Sequence, residues 1–313
     1  MPARSGGVAR AARHCGFAAV RHCGLAAALV WSLVGLGTAW AGPPLSGTSD
    51  ERAQQDARRQ IPYNKLSADA RRKADAVLSS VTLYRRLPTQ VIRCDPDLYH
   101  FMTTRPDVTV NIWQVLDLSN IRLSRTGETT FHADDSAGTQ SDMQFLYATR
   151  DTLLIYAVGT YQGPLFLSPL RGGALLLLKT GYIREPGGNY YVTARLDAFF
   201  RVDSFGADLV ARTLQPLVND NADKNFREAA AFLRNLSRAA EVDPNYMERL
   251  SRKLTNVSQS DRERFAELAQ QASQRAARNS VRKASHTEEW TDVTPEEGAE
   301  EAMASPAAMP PRR

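Results

Sequence analysis

The chain has 313 residues, 43% of them hydrophobic and 23% charged, a composition that speaks against a fibrous or wholly disordered protein. Its formal charge of +5 comes mostly from residues 1–41, where Arg4, Arg10, Arg13 and Arg21 stand without an acid and leave the rest of the chain at only +1. With no dense Lys/Arg run among aromatics, a nucleic-acid partner held by phosphate neutralisation has no footing.

The N-terminus runs from basic to apolar to small. After the arginines, Gly24 to Thr38 carry no charge, Ala39-Trp40-Ala41 has the small-x-small form of a cleavage site, and Gly42-Pro43-Pro44 breaks any helix. This order predicts a signal peptide over 1–41 and an exported, periplasmic or extracellular protein. The alternative is an uncleaved anchor over 23–45, close to the roughly 20 apolar residues a span requires. Any membrane contact would come from that segment. Of the three cysteines, Cys15 and Cys23 lie in or beside this region. Cys94 remains alone and reads as a buried thiol.

Residues 42–62 are polar and read as a linker. Over 63–80, Leu66, Ala70, Ala74 and Val77 recur at helical steps. A strand follows over 81–94, with Pro88 marking an edge or bulge. Asp95-Pro96 has the form of an N-cap with proline at the first helical position. A second short helix opens at Pro106-Asp107 and turns Val110, Trp113 and Leu116 inward. Six strands come next, near 120–125, 128–133, 139–149, 152–161, 174–184 and 190–202, separated by turn residues such as Thr126-Gly127 and Pro186-Gly187-Gly188-Asn189. In the last strand Tyr190, Val192, Ala194, Leu196, Ala198, Phe200 and Val202 share one face, which predicts a buried side and a largely wet one. Helical periodicity returns at 206–217, up to Pro216, and at 221–242, with Phe226, Leu233 and Leu236 on one stripe. The C-terminal helices then occupy 243–279. Residues 280–313, acidic and proline-containing, read as a disordered tail.

No nucleophile elbow, phosphate loop, HExxH or zinc-ligand spacing occurs, so no cofactor, metal or catalytic residue is assigned. Arg171-Gly172-Gly173 reads as a turn, and Asp134-Asp135 as a hairpin with solvated acids. Arg195 and Asp197 share a strand face and read as an ion pair or as a cavity acid with its partner. Amphipathic aromatics can line a pocket and offer hydrogen bonds as well as pack a core. Trp113, Tyr147, Tyr156 and Tyr182 are the candidates here, with Tyr99 beside them on the short helices.

One strand (Val81 to Cys94), two short helices opened at Asp95-Pro96, six strands and a long helix ending near Glu241 make an order that resembles the START/Bet v1-like helix-grip superfamily, also called SRPBCC or polyketide cyclase-like. The fold class so implied is α+β, a curved antiparallel sheet of about seven strands gripping a long C-terminal helix over 81–242, with extra helices at both ends. The resemblance implies a cavity between sheet and helix for an apolar small molecule or lipid. Packing Phe226 and Leu233 over Val192, Leu196 and Phe200, with the small residues Ala194 and Ala198 leaving room, places that cavity. The expected function is that of an exported, non-catalytic binder or carrier of such a molecule. The alternatives are a structural or interaction protein whose own side chains fill the core, and a cyclase- or dehydratase-type enzyme.

Overall fold

A computed structural model describes residues 46–162, 169–203 and 215–291, with backbone alone at 215–220 and 281–291. The expected signal peptide or anchor, part of the 206–217 helix and the end of the acidic tail lie outside the described residues.

The stretch read as linker contains a helix. α1 (Glu51–Arg59) is capped by Asp50, whose carboxylate accepts the Ala53 N–H at 2.8 Å, and it has Glu51 in its first turn and Arg58 and Arg59 in its last. That charge order suits the helix dipole. Its apolar face is only Ala53 and Ala57, one turn apart and both buried. A stripe that thin looks polar in sequence. After a short 3₁₀ turn (Tyr63–Lys65), α2 (Ala68–Leu78) starts at Ser67, whose hydroxyl accepts from Ala70 N–H at 3.2 Å. It buries Ala70, Ala74, Val77 and Leu78.

The strand expected over 81–94 is two: β1 (Leu83–Arg86) and β2 (Gln90–Arg93), laid end to end against one neighbour. Proline lacks the ladder N–H, so pairing lapses at Pro88. Asp95 caps α3 (Pro96–Thr104) by accepting from the N–H groups of Asp97 and Leu98, and α4 (Pro106–Val115) follows. The remaining strands are β3 (Arg122–Arg125), β4 (Thr130–Asp134), β5 (Thr139–Ala148), β6 (Thr152–Tyr161), β7 (Leu170–Arg184) and β8 (Tyr190–Val202). Successive strands from β3 to β8 pair antiparallel, and β1 and β2 close the order against β8. The fold is thus α+β, with a curved, unclosed antiparallel sheet and a long helix behind it.

Three helices end the described chain: α5 (Gln215–Val242), α6 (Pro244–Lys253) and α7 (Gln259–Thr291). Pro216 does not divide α5. It sits in the first turn, where a missing N–H leaves no intrahelical bond unmade. α7 runs twelve residues past Asn279, the point at which its apolar period fades. Arg282, Lys283 and Ala284 are good helix formers that carry it on. No described helix is long and apolar enough to cross a membrane.

The sheet separates two cores. Its concave face meets α3, α4 and α5, with α6 and α7 packed behind them. The convex face is covered too. Leu154, Leu175, Leu177 and Phe199 pack against Ala57, Ala74 and Val77 of α1 and α2. The face of β8 expected to be wet therefore holds Phe199 and Asp197, both wholly buried. Tyr84 donates to Asp197 Oδ1 at 2.6 Å and Arg86 Nε to the same oxygen at 2.7 Å. Arg86 also reaches Asp56 at 2.8 Å, and Arg195 reaches Gln60 at 2.5 Å. These bonds clip α1 to the sheet. Burial, reinforced by Asp197, pushes the Tyr84 hydroxyl pKa far up, so it stays a donor.

Candidate functional site: a chamber on the concave face

Between the concave face and α3, α4 and α5 lies a chamber with about 100 Å³ of space open to the centre of a water-sized sphere. Each wall has a cause. The strands contribute inward-facing side chains from every second position, among them Leu123, Met143, Phe145, Ile155, Leu176, Leu178, Ala194 and Leu196. From the helices come Tyr99 and Met102 of α3, Thr109 and Trp113 of α4, and Phe226, Ala229, Ala230 and Leu233 of α5. The four residues of α5 recur at three- and four-residue steps, so one stripe faces the sheet. Ala229 and Ala230 sit between Phe226 and Leu233, and Ala194 lies on β8. Small residues at the meeting of two layers leave the gap.

The chamber's polar groups are mostly engaged with the protein itself. The Thr109 hydroxyl donates to Met102 O at 2.7 Å, and the Thr103 hydroxyl to Tyr99 O at 3.0 Å. Tyr99 is the one titratable residue in the wall among the described residues. Burial raises its pKa well above the ordinary tyrosine value, so the hydroxyl is neutral. Its ring meets Tyr182 edge-on at 6.4 Å, and Trp113 meets Phe232 edge-on at 5.7 Å. The wall is least covered along Thr103, Pro106, Phe145, Ile155 and Leu178, which are half-buried. Beside that side, Arg150 donates to Asp97 at 2.7 Å and Arg275 of α7 holds both Asp95 and Asp97. The other end of α3 is tied to α7 through Arg105 and Asp261.

Of the residues expected at the site, the structure brings Trp113, Ala194, Leu196, Phe226 and Leu233 together in the chamber wall. Val192 and Ala198 share the concave core but do not line the space. Phe200 lines a separate recess farther along the sheet. Tyr182 packs against the concave core and its hydroxyl donates to Arg150 O at 2.7 Å. Tyr147 and Tyr156 do not join them, because they pack on the convex side against the α1–α2 core. The bulge between Phe145 and Tyr147 shifts the alternation there, so parity counted along β5 places Tyr147 badly. Arg195 and Asp197 lie on that same convex side and are no cavity acid and partner.

Sequence reasoning missed Met102, Thr109, Met143, Phe145, Ile155, Leu176 and Leu178. The two short helices carried a signal, since Met102 and Thr109 follow their capped starts by fixed offsets. Strands β6 and β7 carried none, for Leu153-Leu154-Ile155 and Leu175 to Leu178 are apolar on both faces. Cys94 is buried beside Leu233 O, and burial pushes its thiol up to about 12. It is unreactive at neutral pH. No group of histidine, cysteine and carboxylate suited to a metal ion occurs among the described residues.

A curved sheet, a gripping helix and an apolar chamber define the class: an α+β domain with internal space on one face of its sheet. No family model matches the sequence, and no curated protein matches it. A putative uncharacterized protein from Rhizobium leguminosarum is similar in structure at 14% identity and a TM-score of 0.25, over 46% of this chain and 97% of that one. The Mll3558 protein from Rhizobium loti is similar at 14% identity and a TM-score of 0.23, over 45% of this chain and 96% of that one. Likenesses of that size carry no argument about function.

Proposed function

We propose that this protein is a non-catalytic binder or carrier of an apolar small molecule or lipid segment, working outside the cytoplasm. One observation carries the reading: an apolar chamber left open between sheet and α5 where small residues face each other. Space of this kind stays dry and takes apolar guests. The element order supports a helix-grip relationship, with the first strand split in two and the C-terminal helix whole. Export rests on the basic–apolar–AWA order of the N-terminus.

The competing reading is a structural protein with a self-filled core. Solvent extraction of purified native protein followed by mass spectrometry separates the two. The carrier reading expects a stoichiometric apolar molecule. An empty extract, together with no rise in melting temperature on adding a saturating short hydrocarbon, leaves the structural reading standing.

A further inference from the structure

A second, smaller recess of about 50 Å³ opens on the same concave face. Thr160 and Tyr161 border it, and two further hydroxyl residues in its lining, Thr139 and Ser141, are 5% and 4% exposed. Neither hydroxyl oxygen has a hydrogen-bond partner among the described residues. Buried hydroxyls are normally paired, and leaving one unmade costs free energy. Two together in one recess mark a place where something else completes them.

Register explains the room. Ser141 pairs with Gly159, Gly159 with Gly172, and Gly172 with Val202, so this row of the sheet holds two glycines. A Cβ at Gly159 would come within 2.8 Å of the Ser141 Cβ and 2.4 Å of Gln140 O. Only glycine lets the serine lean over that position. The next row, Met143–Ala157–Ala174–Phe200, is shared: Met143 lines the chamber, and the other three line the recess. Rows on one face are about 7 Å apart along a strand, the length of a chain of a few carbons.

Charge sets the chemistry. Arg201 stands at the recess, but its guanidinium donates to Asp203 at 3.0 Å and to Ala76 O at 2.6 Å. Arg171 also borders the recess, but it is exposed and alternates onto the face opposite Gly172. Among the described residues, then, no buried and unengaged cation lines the recess to neutralise an anionic head. A serine or threonine hydroxyl both donates and accepts. We propose that the occupant is amphipathic, with its apolar part in the chamber and one uncharged oxygen, an alcohol or carbonyl, held by Thr139 and Ser141. This rests on the carrier reading and adds the class of ligand.

The test is NMR titration with n-hexane, 1-hexanol and hexanoate at neutral pH, on wild type and on Thr139→Val/Ser141→Ala. Removing the hydroxyls should weaken 1-hexanol about tenfold, the size of one or two net hydrogen bonds, while hexane changes less than about twofold, since it makes none. Hexanoate should bind more weakly than 1-hexanol. Ser141→Ala alone, the milder change, should give about a third of the tenfold loss and serves if the double variant does not fold. Unchanged 1-hexanol affinity in a folded variant would mean that water completes the hydroxyls, and it overturns the proposal. Failure of wild type to bind hexane overturns the carrier reading itself.

Discussion

The two faces of one sheet are built to opposite ends. On the convex face, leucines and Phe199 meet alanines of α1 and α2, and the buried Asp197 draws Tyr84 and Arg86 onto one oxygen. Large against small closes that layer, and the charges lock it. On the concave face small residues meet small residues at Ala194, Ala229 and Ala230, and a chamber remains. A protein able to close one face of its sheet has no packing reason to leave the other open, and so function is sought on the concave side. The contrast is also local. Leu177 and Leu178 are neighbours on β7, yet the first is wholly buried under α2 and the second half-buried at the chamber.

Charge removal on the convex face should be the severest test. Asp197→Ala strands Arg86 and Tyr84 in a buried layer, and breaking such a pair costs about 3–5 kcal/mol. Denaturant unfolding should show that loss with hexane binding unchanged in whatever remains folded. A cost under about 1 kcal/mol would mean the network is a surface pair, and the contrast between faces would weaken.

Paired leucine truncations come next. Leu177→Ala should cost about 3 kcal/mol, as a wholly buried leucine does. Leu178→Ala should cost less than half of that and enlarge the chamber, read as tighter binding of a bulkier hydrocarbon. Equal losses would show the concave layer to be as tightly packed as the convex one.

The concave layer is held at the ends of its helices. Asp95 caps α3 and also takes two hydrogen bonds at 2.7 Å from Arg275 of α7. Asp95→Ala should therefore cost about 2 kcal/mol, more than the roughly 1 kcal/mol of a cap alone. Arg275→Ala should by itself cost part of the same stability, and a double-mutant cycle measures how much of the loss the two share.

Adding bulk should divide the faces again. Ala74→Leu in the convex core should cost about 1–3 kcal/mol through overpacking. Ala194→Leu, growing into the chamber, should cost less than about 1 kcal/mol and abolish hexane binding. Ala198 is the wrong place for that test, because it does not line the space.

The smallest effect concerns Asp97, beside the half-covered side. Burial alone would raise its pKa, but the Arg150 hydrogen bond and the charges of Arg275 and Arg150 outweigh that and hold it below the usual carboxylate value. A depressed carboxylate stabilises the fold above its unfolded pKa, and that contribution is lost as the pH falls through the folded value. Arg150→Ala should move the Asp97 midpoint upward in an NMR titration, with stability at neutral pH little changed. A midpoint that stays put would place the depression on Arg275.

Sequence alone determined what is local. The Asp95-Pro96 cap, the period-2 run of β8 and the 3.6-period stripe of α5 depend on neighbours in the chain, and the α+β class with Trp113, Ala194, Leu196, Phe226 and Leu233 on facing surfaces followed from them. Tertiary structure decided the rest, because it turns on what covers each face. α1 was illegible, since two alanines suffice to dock a helix once a sheet of leucines is waiting for them. Asp197 could be buried only because Tyr84 and Arg86 arrive from a strand more than a hundred residues away. The bulge at Phe145/Tyr147 sent Tyr147 to the far side. The two strands apolar on both faces had no inward side until helices stood on each, and the empty space between α5 and the sheet is a property of distance between layers that no run of residues contains.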